Sequence, residues 1–471
     1  MRKLFDKLSL YTDFYALALS QGLFYQQKHE DRVVFDYYFR TNPFDGGYVI
    51  FAGLENLIDI VENYQYDTDT LRYLREQGLY EPFLEYLANM KFRANIYAPQ
   101  EGEVVFATAP VMRVEGNFIE VQLIETLLLN LINFQSLIAT KASRVRQVVG
   151  DRLFIDFGLR RAQAWSGMHA SRAAIIGGAD LSSNTLGGYY HGLPLWNTMA
   201  HTWVQSFDDE LTAFRKYVDS QPNEQLILLV DTYNTLQIGM PNAITVAKEM
   251  EKAGKRLFAV RLDSGDLAYL SKKARKMLDE ADLAYVKIIV TNQLDEYLIR
   301  SLDLQKAPID GFGIGTKLIT AHGASALDGV FKMSLYNNKP SMKISNDLFK
   351  NSLPGRKKLW RFFDKEGYFY RDGILLYEEN ECETLYSAVF ANQYTHVSGL
   401  PYENILQPVM ENGKRLMEKK TIQQIKAYAQ QRLTLLPEEH KRFENPHTYK
   451  VGISASLRNV RDDILQKHRN W

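Results

Sequence analysis

The 471-residue chain has a single cysteine, Cys382, so it can form no internal disulfide and no cluster of thiolate metal ligands. A chain of this length buries enough surface to need no such staple, and one thiol is ordinary for a reducing compartment. Neither sign of charge is in excess, with 56 Lys and Arg against 56 Asp and Glu. That balance argues against a polyanion-binding surface, and so against a nucleic-acid partner, while leaving room for a local basic pocket. Uninterrupted apolar runs are also missing. The most apolar stretch, residues 121–139, is broken by Gln122, Glu125, Asn130, Asn133 and Gln135, and reads as a buried helix rather than a membrane span. The opening Met1-Arg2-Lys3-Leu4-Phe5-Asp6-Lys7 lacks the apolar core of a signal peptide. The expected location is therefore cytoplasmic, with no membrane association. No HExxH, CxxC, GxSxG or EF-hand pattern occurs, which removes support for zinc hydrolases, thiol redox enzymes and typical α/β-hydrolases.

Three textures follow one another. Residues 1–135 are rich in aromatics and mix helix with strand, and Val33 to Phe39 is a strand candidate. Residues 101–106 and 112–116 read as short antiparallel strands. Thr12 or Asp13 is placed to cap a helix running to about Gln26. Residues 136–340 alternate continuous apolar runs (153–157, 226–230, 257–260, 286–290, 311–314) with helical patterns (241–253, 267–281, 295–302). Such runs suit strands buried on both faces, and βαβα alternation implies a parallel sheet, open or closed. Residues 341–471 carry the basic run Arg356-Lys357-Lys358, expected to be a solvated face, and end in a helix-rich tail with a helix over 421–435.

Several polar motifs stand just after the strands, where ligands bind in both α/β architectures. In Asp156-Phe157-Gly158-Leu159-Arg160-Arg161 the glycine permits a sharp turn, the phenylalanine offers a flat stacking face and the arginines could grip a phosphate or carboxylate. On the pair alone, a core Phe with two solvated arginines is the favoured reading. His201, in Thr198-Met199-Ala200-His201-Thr202, is a candidate base, nucleophile or phosphate acceptor, or else a satisfied core histidine. Asp231, at the end of the run 226–230, is suited to fixing a histidine tautomer. In Arg261-Leu262-Asp263-Ser264-Gly265-Asp266 the arginine can bind an anion and Asp263 can accept from sugar hydroxyls, while Ser264 or Asp266 can cap the next helix. Gly311-Phe312-Gly313-Ile314-Gly315-Thr316-Lys317 lets backbone N–H groups approach a phosphate, although a tight turn would look the same. Together these motifs fit a phosphorylated sugar ligand.

Their order along the chain resembles the nicotinate phosphoribosyltransferase family. The resemblance rests on residues 156–163, Ser182-Ser183-Asn184, Ala200-His201-Thr202, residues 231–235, residues 261–266 and Gly313-Ile314-Gly315-Thr316. Thr12-Asp13-Phe14-Tyr15, residues 38–44, Glu125-Thr126, residues 130–134 and Asn445-Pro446-His447 with Tyr449 extend it over nearly the whole chain. The resemblance implies an irregular α/β barrel of the type II phosphoribosyltransferase kind, with a second α+β domain from the N-terminal region and part of the tail. It implies transfer of phosphoribosyl from 5-phosphoribosyl 1-pyrophosphate to nicotinate, coupled to ATP through a phosphohistidine and assisted by Mg²⁺. A homodimer with shared active sites is also implied. His201 would accept the phosphoryl group and Asp231 would orient it. Phe157 and the partner subunit's Tyr15 would sandwich the pyridine ring, with Ser183 and Asn184 facing its substituent. Asp263 would hold ribose hydroxyls; Arg261 with Gly313, Gly315 and Thr316 would hold the 5′-phosphate. Arg160, Arg40 and Lys141 are further anion contacts, and Thr202 keeps the hydroxyl that usually follows the histidine.

Departures are local: Asn197-Thr198 precede Met199 where Gly-Thr is usual, and Leu327-Asp328-Gly329 replaces Leu-Gly-Gly. Two alternatives remain, a nicotinamide phosphoribosyltransferase and a non-catalytic sugar-phosphate-binding barrel. Acid or amide preference should turn on whether a carboxylate faces the ring substituent, and no Asp lies within 182–184, although Asp180 is near in sequence.

Overall fold

The computed structural model describes residues 7–221, 225–347, 350–390 and 392–469; the charged start Met1–Asp6 lies outside the described residues. The chain divides into two compact units, Ile138–Ser325 and the pair of flanking parts Met1–Leu137 with Ala326–Trp471. The tail thus joins the N-terminal region in one unit instead of standing as a third. The reason is strand pairing: Gly329–Tyr336 hydrogen-bonds along Arg32–Phe39, and Gln407–Glu411 along Asn95–Ala98.

In the unit Ile138–Ser325, six short strands form one parallel sheet: β1 (Leu153–Asp156), β2 (Leu181–Ser182), β3 (Ile227–Leu229), β4 (Ala259–Leu262), β5 (Lys287–Val290) and β6 (Gly311–Ile314). Their order is β2-β1-β6-β5-β4-β3. The last strand of the unit therefore inserts beside the first, with Gly311 opposite Leu153, and the hydrogen-bonded run stays open between β2 and β3. Each of the five apolar runs forms a strand, and β3, β4 and β6 are buried at every residue, as continuous apolar sequence requires. Between them lie α1 (Ser166–Ile176), α2 (Thr185–His191), α3 (His201–Gln205), α4 (Glu210–Ser220), α5 (Met240–Lys252), α6 (Leu267–Glu280), α7 (Glu296–Leu304) and α8 (Thr316–Ile319). Asn184, Asp209, Asp266 and Asp295 cap four of these by accepting a backbone N–H three residues on, which places the helix starts close to the strand ends.

In the other unit, seven antiparallel strands are ordered Lys339–Pro340, Gly329–Tyr336, Arg32–Phe39, Met112–Asn117, Asn95–Ala98, Gln407–Glu411 and Lys414–Arg415. The expected strands at 101–106 and 112–116 both form, but with different partners: Val104–Val105 pairs with Val49–Ile50 and Met112–Asn117 with Arg32–Phe39. A second, six-stranded sheet is built from tail residues around Lys357–Phe363 and Phe369–Leu376. The apolar stretch 121–139 falls in the helices Phe118–Leu123 and Glu125–Val149. By length and composition alone this segment could cross a membrane; 67% of its most apolar window is buried by protein, as in a core helix.

The basic run Arg356-Lys357-Lys358 is not a solvated face. Lys357 is 2% exposed and pairs with Asp36 at 2.8 Å, and Arg356 pairs with Glu115 at 2.8 Å. Strand pairing on both sides carries these side chains into the interior, where a cation persists only with a partner. Arg361, fully buried in the same strand, bonds both oxygens of Asp372 at 2.8 Å and reaches Glu103 at 2.8 Å. Arg361→Ala leaves the buried Asp372 with no cation, while Glu103 keeps Arg432 at 2.9 Å, and a loss of about 3–5 kcal/mol is expected in urea denaturation. A loss under about 1 kcal/mol would show that the cluster is solvated in solution.

Candidate active site

A cavity of about 1310 Å³ opens in the barrel unit where the strands end, lined by Phe157, Arg160, Ser183, Arg261, Asp263, Gly313, Gly315 and Thr316 among others. These eight residues come from the C-terminal ends of β1, β2, β4 and β6 and the loops that follow, so one sheet edge gathers what the sequence scatters. The charged side chains in the lining are Arg160, Arg161, Arg261 and Asp263, three cations to one anion.

Phe157 forms one wall. Its N–H donates to the Ile314 carbonyl at 2.9 Å, tying the loop after β1 to the end of β6. Its ring lies so close to Gly313 that a Cβ there would be 2.5 Å from a ring carbon. Glycine at 313 is thus a requirement of space. The same holds for Gly158, whose φ of −86° is ordinary and implies no sharp turn. A Cβ at 158 would meet Ile319 Cβ at 2.5 Å.

Arg261 lies in β4 at 9% exposure. Its Nη1 donates to Thr198 Oγ1 at 3.0 Å, while its Nε is buried without a partner among the described residues. Burial holds its guanidinium below the ordinary arginine value, and Asp263 and Asp231 offset this only in part. A buried, incompletely paired cation in a cavity wall is suited to an anionic ligand. Thr198, three residues before the histidine, is therefore what orients Arg261.

His201 opens α3, with its side chain 40% exposed. Nδ1 lies 3.1 Å from Thr232 Oγ1, and Nε2 lies 3.8 Å from Asp263 Oδ2. Asp231 does not orient it. Asp231 Oδ2 accepts from Asp263 N at 2.9 Å and from Ser264 Oγ at 2.5 Å, leaving Thr232 to hold the imidazole. Asp231 Oδ1 is buried with no hydrogen-bond partner. Asp263 is itself held by the Thr291 hydroxyl. The turn after β5 places Asn292 and Gln293 in the cavity wall with φ of 92° and 50°, two left-handed non-glycine residues in succession. Strain of that kind concentrates at functional sites. The sequence signal for this turn was its place after a strand, the same signal that marks the other loops.

Other expected residues lie elsewhere. Asn184 is fully buried: it caps α2 through Gly187 N at 3.0 Å and donates to Gly167 O and Ser171 Oγ, each at 3.1 Å. All its capacity is used inside the protein, so it does not face a ligand. Thr202 is exposed and lines no part of the cavity. Lys141 is held by the buried Glu296 at 2.7 Å rather than offered to an anion. Asp180 accepts from Arg146 at 2.6 Å and from Phe154 N at 2.9 Å, near the start of β1 and so at the end of the strand away from the cavity. It is not a carboxylate of the ring site. Tyr15 belongs to the other unit, in the first turn of the helix Phe14–Tyr25, at 52% exposure. Arg40 is in that unit too, its loop held by Asp328, which accepts from Arg40 N at 3.0 Å and Thr41 N at 3.2 Å.

A family model described as the nicotinate phosphoribosyltransferase N-terminal domain matches residues 10–133, and one described as the C-terminal domain matches residues 356–461. A Bacillus subtilis protein named nicotinate phosphoribosyltransferase is 42% identical over 462 residues, covering 95% of this chain and 93% of the relative. A Dictyostelium discoideum protein of the same name is 35% identical, covering 95% and 86%. The crystal structure of human nicotinic acid phosphoribosyltransferase superposes with a TM-score of 0.86 at 27% identity, covering 96% of this chain and 99% of that one.

Proposed function

The chain belongs to the nicotinate phosphoribosyltransferase family, and we propose that it joins nicotinate to 5-phosphoribosyl 1-pyrophosphate in NAD biosynthesis, giving nicotinate mononucleotide and pyrophosphate. The observation that carries this reading is the cavity that sets a stacking face, Phe157, within the same walls as the incompletely paired Arg261 and the Gly313–Thr316 loop. The pyridine nitrogen attacks the ribose anomeric carbon as the bond to pyrophosphate breaks, through an oxocarbenium-like transition state. Arg261 and the loop after β6 hold phosphate, Asp263 holds ribose hydroxyls, and Ser183 faces the ring substituent. Three arginines against one aspartate favour nicotinate over the neutral amide.

His201 couples the reaction to ATP. A ring nitrogen attacks the γ-phosphorus, the N–P bond forms and ADP leaves; later hydrolysis frees the imidazole. Its exposure, its bond to Thr232 and its position beside Asp263 support this role. Among the described residues no three His, Cys, Asp or Glu side chains converge as a metal cage. Asp231, whose Oδ1 has no partner among the described residues, and Asp263 are the residues that would hold Mg²⁺ arriving with the pyrophosphate. The ion would supply positive charge to neutralise the leaving group. Phe14, Tyr15 and Leu19, each more than half exposed on one helix, favour a homodimer in which the partner subunit's Tyr15 covers the ring. The half-buried lone Cys382 suits a cytoplasmic enzyme.

The test is turnover with nicotinate or nicotinamide, each with and without ATP. Nicotinate is expected to be the preferred base and ATP to raise the rate. No turnover with nicotinate overturns the reading, and preference for nicotinamide overturns the acid assignment. Phe157→Ala should raise the nicotinate KM about tenfold, the loss of one aromatic stack of roughly 1.4 kcal/mol, with the phosphoribosyl donor's KM unchanged. An unchanged nicotinate KM would remove Phe157 from the ring site.

A further inference from the structure

Asp156 is fully buried and lines no part of the cavity, yet its bonds meet both walls of the ring end. Its Oδ1 accepts from Gly158 N at 2.8 Å and its Oδ2 from Ser182 Oγ at 2.8 Å, and the Ser171 hydroxyl also bonds it. The two serine oxygens are in turn aligned by Asn184, whose N–H donates to Ser182 Oγ and whose side-chain amide donates to Ser171 Oγ, both at 3.1 Å. Asn184 is fixed by its own capping bond from Gly187. Gly158 N and the Ser182 and Ser171 hydroxyls thus all donate to Asp156. Burial raises its pKa, and the three donors work against that rise. Among the described residues no cation pairs with it. Neutral donors alone hold a buried carboxyl group, an arrangement costly enough to need a return in geometry.

That geometry is the spacing of the two walls. The Asp156 side chain holds the turn that follows Phe157, through Gly158. Its main-chain carbonyl accepts from Ser183 N at 3.0 Å, and its side chain grips Ser182. One residue thus anchors the stacking ring after β1 and the polar wall after β2. We propose that Asp156 is a positioning residue of the pyridine site, setting Phe157 and Ser183 at a fixed separation. This rests on the nicotinate reading above.

Asp156→Asn keeps the shape but puts an amide N–H₂ where the Ser182 and Ser171 hydroxyls donate, so these hydroxyls must turn to accept and their alignment by Asn184 is disturbed. The expected result is a nicotinate KM raised about tenfold or more, with kcat at saturating nicotinate and the donor's KM within about twofold. Ser171→Ala removes one donor without altering either strand end and should raise the same KM about two- to fivefold. Simple loss of folded enzyme has a different signature: kcat falls and both KM values stay. That signature in Asp156→Asn, or an equal rise in both KM values, overturns the proposal. If Asp156→Asn does not fold, an unchanged nicotinate KM in Ser171→Ala overturns it. Wild-type enzyme is assayed first; a wild type inactive with nicotinate refutes the functional reading itself, whereas an active wild type with an unmoved nicotinate KM in the variants refutes only the role of Asp156.

Discussion

Arg261→Ala is expected to lower kcat/KM for 5-phosphoribosyl 1-pyrophosphate by about 10²–10³-fold, the scale of losing one charged donor in a water-poor site. The side chain is 9% exposed, spends one nitrogen on Thr198 and leaves Nε unpaired. Such a cation is poorly compensated until an anion arrives, so its interaction with phosphate is not diluted by solvent. Arg261→Lys keeps the charge but not the planar fork, and should recover less than about a tenth of the lost activity. The nicotinate KM should stay near the wild-type value, because Phe157 follows β1, on the other side of β6 from β4. A fall of less than about tenfold for the alanine variant would show that Arg261 is a structural ion and that the anion is held elsewhere.

His201→Ala should abolish the rate increase produced by ATP, so that turnover with ATP equals turnover without it, and ADP release falls to background. The side chain is partly exposed at the start of a five-residue helix, and its one hydrogen bond is to Thr232, so its removal leaves no buried partner stranded. The ATP-independent reaction should survive, since the ring wall and Arg261 do not depend on the imidazole. A phosphorylated His201 adds negative charge beside Asp263, a change strong enough to alter how the site holds its own anions. Equal ATP stimulation in variant and wild type would sink the phosphohistidine assignment.

Local sequence was sufficient for much of the barrel unit. The five apolar runs became strands within a residue or two of their expected bounds, and Asp266 capped α6 as its position suggested. Both signals are local: continuous burial is written in consecutive residues, and a cap needs only the next three. The motifs after the strands were legible for the same reason. Three errors have a common origin. Arg356-Lys357-Lys358 looked like a solvated charge run, Asn184 like a ligand contact, and Asp231 like the partner of His201. Each depended on what lay opposite: Asp36 and Glu115, Ser171 and Gly167, Thr232 and Ser264.

The sequence by itself determined the elements, the places where loops leave them and the residue types those loops carry; the zero net charge argued against a polyanion-binding surface and left small anions open. Only the tertiary structure decided that β6 lies beside β1, so that Gly313 meets the Phe157 ring, and that Thr198 reaches Arg261. It alone turned Asp156 from one letter of a motif into the junction of two walls. The physical reason is range. Helix caps and buried runs are set by neighbours a few residues away, whereas strand order and side-chain partners follow from closing the sheet, which brings together residues that no local pattern relates.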